Sequence, residues 1–192
     1  QREQAEQLIG KAHAALNRTK PLRGASEDQP VELLREALQL LAPHGDSQPI
    51  RELRQKVAGL WSDAVRRSED EQEALALAQE GEKLFTSYGL EQGLRTERQT
   101  LELAVSAGEQ GAALAQAAAS RTEWKTLPGL TESLDFTLRD LMHSADKQAW
   151  PQMRALALAR QDEAQNALRP VLTELDRLAL QPAGVRQQYE DR

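Results

Sequence analysis

Three histidines, His13, His44 and His143, are the side chains best suited to move protons or bind a metal near neutral pH in this 192-residue chain. Two ligands on one helix face need a spacing of three or four residues. No two of these histidines are so spaced, and none follows a Glu by three positions, the arrangement with which helical bundles hold paired metals. His44 sits in the stretch "APHGDSQP" and reads as a solvent-facing turn residue, while His143, beside Met142, reads as an interfacial histidine at a helix border. Acids are densest in "SEDEQE", residues 68–73, which opens a helical pattern and suits the positive end of a helix dipole. The chain has no cysteine, which excludes disulfides, zinc–thiolate sites and cysteine nucleophiles. The glycines of "GLEQGLRTERQTLELAVSAGEQG" follow no strand and so form no phosphate cradle, and no Gly-x-Ser-x-Gly elbow occurs. The expectation is a protein without catalytic, metal or cofactor residues, and so not an enzyme.

Net charge decides which partners are open to it. At −6 the chain lacks the basic surface that displaces counterions from nucleic acid or binds anionic lipid. Its densest basic group, Arg51, Arg54, Lys56, Arg66 and Arg67, alternates with acids and reads as a solvated face. No run of about 18 apolar residues is present, so no membrane insertion is expected. A cysteine-free chain suits the bacterial periplasm, but the cytoplasm stays equally open. Beginning at Gln1 without a signal peptide, the chain reads as a piece of a larger bacterial protein.

The elements that must position any site are helices. Leu, Ala, Gln, Glu and Arg dominate, and aromatic residues make up only 4%. Ala5, Leu8, Ile9, Ala12 and Leu16 repeat at helical spacing, and "NRTKPLRGASEDQP" then breaks the pattern as a loop. The Asn17-Arg18-Thr19 sequon in that loop reads as a chance match. Pro30, behind Asp28 or Gln29 as cap, opens a second helix with Val31, Leu34, Ala37, Leu38 and Leu41 on one face. Pro49, behind Ser47, opens a third with Ile50, Leu53, Val57, Leu60, Trp61 and Ala64. The doubled Gln-Pro is therefore capping chemistry used twice.

Ser68 and Glu71 have capping-box spacing for a fourth helix, with Ala74, Leu75, Ala78, Gly81, Leu84 and Phe85 inward and Gly89 as its left-handed end. A long helical stretch runs from Leu90 to Ser120, with Leu94, Leu101, Ala104, Gly108, Ala112 and Ala115 as its stripe and a flexing point at Gly108 and Gly111. "WKTLPGLT" separates it from a helix over 131–147, inward through Leu134, Leu138, Leu141, Met142 and Ala145. Trp150-Pro151 marks the last start, with Met153, Ala157, Ala164, Leu168, Val171, Leu175 and Leu178 inward and a kink or break at Arg169 before Pro170. Trp61 reads as core. Trp124 and Trp150, at helix borders, are seals for a bundle end or anchors for a partner.

Within this pattern, "VELLREALQLLAPHGDS" resembles the second helix and exit turn of a tetratricopeptide repeat through Leu34, Ala37, Leu38 and Pro43. "DEQEALALAQEGEKLF" is similar through Ala74, Ala78 and Leu84, and the likeness spans Ala5 to Phe85. It implies a helical scaffold that binds a peptide or protein. The expected fold is all-α, an antiparallel bundle or tetratricopeptide-like hairpins of about six to seven helices. Residues 1–88 form the hairpins, 90–181 a long-helix bundle packed with them as one domain, and 182–192 a polar tail. The function expected is protein–protein scaffolding, with Trp124, Trp150, Arg51 and Arg54 as partner-binding candidates and a homodimer possible. The alternatives are the ligand-sensing bundle of an extracytoplasmic receptor and a coiled-coil dimerisation stalk over Leu90–Ser120.

Overall fold

Helices in this chain begin where a backbone N–H can be dispensed with, because the first turn of a helix has no internal partner for it. A computed structural model describes residues 1–17 and 29–179. Among these are seven α-helices and no strand: α1 (Arg2–Leu16), α2 (Pro30–Leu41), α3 (Gln48–Arg67), α4 (Glu71–Thr86), α5 (Gln92–Ala119), α6 (Leu127–Lys147) and α7 (Pro151–Ala179). Pro30, Pro49, Pro128 and Pro151 all stand in the first turn of their helices. The Arg18 and Thr19 members of the sequon, the Asp28 cap and the 182–192 tail lie outside the described residues. The chain divides into two compact units, 1–102 and 103–192, and the division falls inside α5 rather than at Gly89.

In the first unit α1 packs on α2 and α3, α2 on α3, and α3 on α4. Leu34, Ala37, Leu38 and Leu41 of α2 and Ile50, Val57, Leu60, Trp61 and Ala64 of α3 are buried, as their spacing predicts. Trp61 is the largest fully buried side chain here, and it sets the geometry around it. Its indole N–H donates to the Leu77 carbonyl of α4 at 2.9 Å. That carbonyl lies one helical turn before Gly81. A Cβ on Gly81 would stand 2.6 Å from the indole nitrogen and 2.9 Å from Leu94 of α5. The ring meets Phe85 edge-on at 6.0 Å, a favoured aromatic geometry. Gly81 thus lets the widest side chain of α3 lie against the backbone of α4.

The end of α4 follows from Gly89. With φ at +67° it lets the Leu90 and Gly89 N–H groups turn back to the Phe85 and Thr86 carbonyls. At its start the structure departs from expectation. Ser68 ends α3, and Asp70, not Ser68, caps α4 by accepting from the Glu73 N–H at 2.9 Å. A carboxylate closer to the helix is the stronger acceptor for its orphan N–H groups.

In the second unit α6 and α7 pack together across a tight turn, in which Ala149 takes a left-handed φ of 49°. The Trp150 and Ala149 N–H groups bond back to Ala145 and Asp146, the same closure as at Gly89. An alanine held there costs about 1 kcal/mol against the right-handed region. "WKTLPGLT" is not a separator. Arg121–Thr126 is a 3-10 helix that runs into α6 at Leu127, because a proline and glycine in a first turn interrupt no helical bond. Helix α5 passes through Gly108 and Gly111 without a break. In its later half Leu114 and Ala117 are buried while Ala112 and Ala115 are exposed, so the largest apolar side chain sets which face turns inward. Helix α7 continues through Pro170 rather than ending at Arg169.

Gly81→Ala is expected to destabilise the protein by about 1–3 kcal/mol through overpacking. Gly59→Ala, where a Cβ meets nothing within 4 Å, is expected to stabilise it by about 0.5–1 kcal/mol. Urea unfolding of the two variants checks both signs.

Candidate functional site

The cleft of the first unit is built by the start of α2, the end of α3 and the opening turns of α4, with a volume of about 510 Å³. Pro30, Val31, Ala64 and Leu77 give it apolar walls, and Glu32, Glu69, Asp70 and Glu73 line it with carboxylates. The two cations among its described lining residues, Arg35 and Arg67, are both engaged. Arg35 grips Glu80 through two bonds of 2.6 and 2.7 Å and also bonds Glu32. The Glu80 bonds first, and then Glu32, hold the Arg35 guanidinium well above its ordinary pKa. Arg35 also covers the Trp61 ring at 5.8 Å, which links the cleft wall to the core. Arg67 bonds the Leu16 carbonyl at the end of α1 and so satisfies an orphan acceptor there. Glu69 and Glu73 have no cationic partner for their carboxylates among the described residues.

Two charged groups lie deeper. Arg54 is 6% exposed and donates to the Leu41 and His44 carbonyls at 2.9 and 2.7 Å, closing the end of α2. The Tyr88 ring covers its guanidinium at 4.5 Å. Glu97 of α5 is 2% exposed and accepts from Ser62 at 2.5 Å and Arg66 at 2.6 Å, both on α3. Both are structural ties, since a buried charge is stable only when hydrogen-bonded. On the surface, Glu82 of α4 takes Arg95 at 2.9 Å and Arg98 at 2.6 Å, and Arg98 continues to Glu102 at 2.5 Å. Arg95 first, then Arg98, holds the Glu82 carboxyl below the usual carboxylate range.

The sequence-derived candidates fall in different settings. Arg51 is exposed and shares Asp46 with Arg54, at 3.9 and 3.6 Å. The basic group of α3 is therefore not one solvated face, because Arg54 points inward. Trp150 is 2% exposed and belongs to the core of the second unit, so it presents no anchor to a partner. Trp124 is half-buried, donates to the Ala118 carbonyl at 3.1 Å and has Arg121 over its ring at 5.8 Å. The two tryptophans flank opposite ends of the 21-residue α6 and so stand about 30 Å apart. His13 and His143 are exposed and His44 is half-buried. Among the described residues no group of three or more His, Asp or Glu is placed to hold a metal, and no helix is long and apolar enough to cross a membrane.

Sequence reading missed Arg54 and Glu97 as buried groups, yet periodicity marks both. Arg54 falls in the stripe Ile50–Val57–Trp61–Ala64, and Glu97 in Leu94–Leu101–Ala104. Comparison with protein-family models, with curated proteins and with solved structures returns no match.

Because the folded Glu82 pKa is depressed, the unfolded state binds more protons as pH falls, so the Glu82 contribution is full above the ordinary carboxylate value and lost as pH drops through the folded value. Glu82→Gln is expected to lower the urea midpoint at pH 7, and the gap from the parent protein is expected to close in acid. Paired urea titrations at descending pH check this.

Proposed function

We propose that the chain is a non-enzymatic helical scaffold that holds a short basic segment of another protein in the cleft between α2, α3 and α4. The carrying observation is the pairing of apolar walls with carboxylates, those of Glu69 and Glu73, that have no cationic partner among the described residues, while Arg35 and Arg67 are committed elsewhere. A segment with one or two Arg or Lys side chains beside an apolar one would meet that chemistry. Carboxylates bind guanidinium groups through paired, charge-assisted hydrogen bonds. The tetratricopeptide likeness supports the same reading. Of the residues on which it rests, Leu34, Ala37 and Leu38 of α2 and Ala74 and Ala78 of α4 are buried, Leu84 is half-buried and Pro43 is exposed. The cleft volume also suits a small cationic ligand, which favours the ligand-sensing bundle as second reading.

Fluorescence anisotropy of labelled Arg/Leu-containing peptides against the full chain tests the proposal. Saturable binding that weakens with salt is expected, and Glu69→Lys with Glu73→Lys is expected to reduce affinity by about ten-fold or more. Arg51→Glu, outside the cleft, serves as the control. Binding that ignores the charge reversal, or no saturable binding by any such peptide, contradicts it.

A further inference from the structure

The end of α7 carries more apolar surface than its own unit covers. At about 100° per residue, Leu168, Val171, Leu172, Leu175 and Leu178 fall within an arc of about 120°. Val171 is buried, yet Leu172 is 60% and Leu175 47% exposed. Leu175 lies between Val171 and Leu172 on the helix, so its exposure does not come from facing the wrong way. It comes from length. Helix α7 has 29 residues against 21 in α6, and the last two turns run on past the start of α6. Pro170 lies about 160° from Leu172 and leaves this face uninterrupted.

A charge pattern accompanies the leucines. Arg169 and Asp176 sit about 60° and 40° from Leu172, on the edge away from Leu175. Neither side chain has a partner among the described residues, whereas nearby Glu174 is taken by Arg177 and Arg121. We propose that this face is a self-association surface, on which the last turns of α7 pair antiparallel with the same turns of a second copy. The twofold axis lies between Leu172 and Thr173. In an antiparallel pair, residues on the same edge of each helix meet, at equal distances on either side of the axis. Arg169 then faces the partner's Asp176 and Asp176 the partner's Arg169, over a seam of leucines centred on Leu172. A parallel pair would lay the charged edge of one copy along the Leu168–Leu175 edge of the other. The opposite charges of Arg169 and Asp176 therefore select the antiparallel arrangement. The seam is only two to three turns long, well short of the roughly 800 Å² per partner of a stable complex, so association is weak and concentration-dependent. This surface is independent of the cleft.

Sedimentation of the full chain from about 5 to 500 µM at low salt tests it. The mass is expected to rise from 21.4 kDa toward twice that value. Leu172→Asp, and Arg169→Asp or Asp176→Arg singly, are expected to raise the midpoint concentration about ten-fold or more, and the doubly reversed protein to return to within about three-fold of the parent. All of these positions are exposed, and circular dichroism verifies that the helices are intact. A constant monomer mass overturns the proposal. So does association that ignores Leu172→Asp, or a double reversal as weak as either single one.

Discussion

The first unit depends on one close approach, that of the Trp61 indole to the backbone of α4. A tryptophan offers the largest apolar surface of any side chain, but its N–H must find an acceptor when buried. A helix interior offers no free carbonyl lone pair unless something reaches the backbone directly. Gly81 removes the Cβ that would stand in the way, and the Leu77 carbonyl accepts the indole beside its own helical bond. The glycine carries a propensity cost of about 1 kcal/mol in mid-helix. That cost is offset by burial of a ring that also touches Phe85 and lies under Arg35.

From that contact the rest of the unit follows by charge. Glu97 reaches from α5 to Ser62 and Arg66 of α3, and Glu82 reaches from α4 to Arg95 and Arg98 of α5. Arg35 joins α2 to α4 through Glu80, and Arg67 joins α3 to the end of α1. Among the described residues, these bridges use up the basic side chains around the cleft and leave Glu69 and Glu73 without a cationic partner. The acidic character of the cleft is thus a by-product of how the arginines are spent on holding helices together. The second unit uses the same device where Arg121 spans from the 3-10 helix to Glu174 of α7 and where Arg154 of α7 reaches Asp146 of α6.

Helix class, helix number and most inward faces were legible because amphipathic spacing and first-turn prolines are local signals. Gly89 was legible for the same reason, since a left-handed residue at a helix end has a compositional mark. What was not legible is what depends on contacts between helices. No local rule marks Gly81 as the seat of Trp61, which stands on another helix. Arg54 was assigned to a solvated face by its type, although its position in the stripe of α3 placed it inside; periodicity outranks charge when backbone carbonyls wait at the inward end. Asp70 displaced Ser68 as cap because two good caps stand two residues apart, and the choice is made by where α3 stops. The cleft was not legible at all, because its walls come from three helices and its chemistry from which arginines are already engaged. The exposure of Leu175, expected inward, depends on the relative lengths of α6 and α7.

A double-mutant cycle on Gly81→Ala and Trp61→Leu tests most directly whether the indole–glycine contact organises the first unit. The cost of Gly81→Ala in the parent protein is expected to shrink or vanish when Trp61 is already Leu, giving a coupling of about 0.5–3 kcal/mol in urea unfolding. Costs that simply add would contradict it, for they would mean that the added methyl collides with something other than the tryptophan and that the two helices are held together by other contacts.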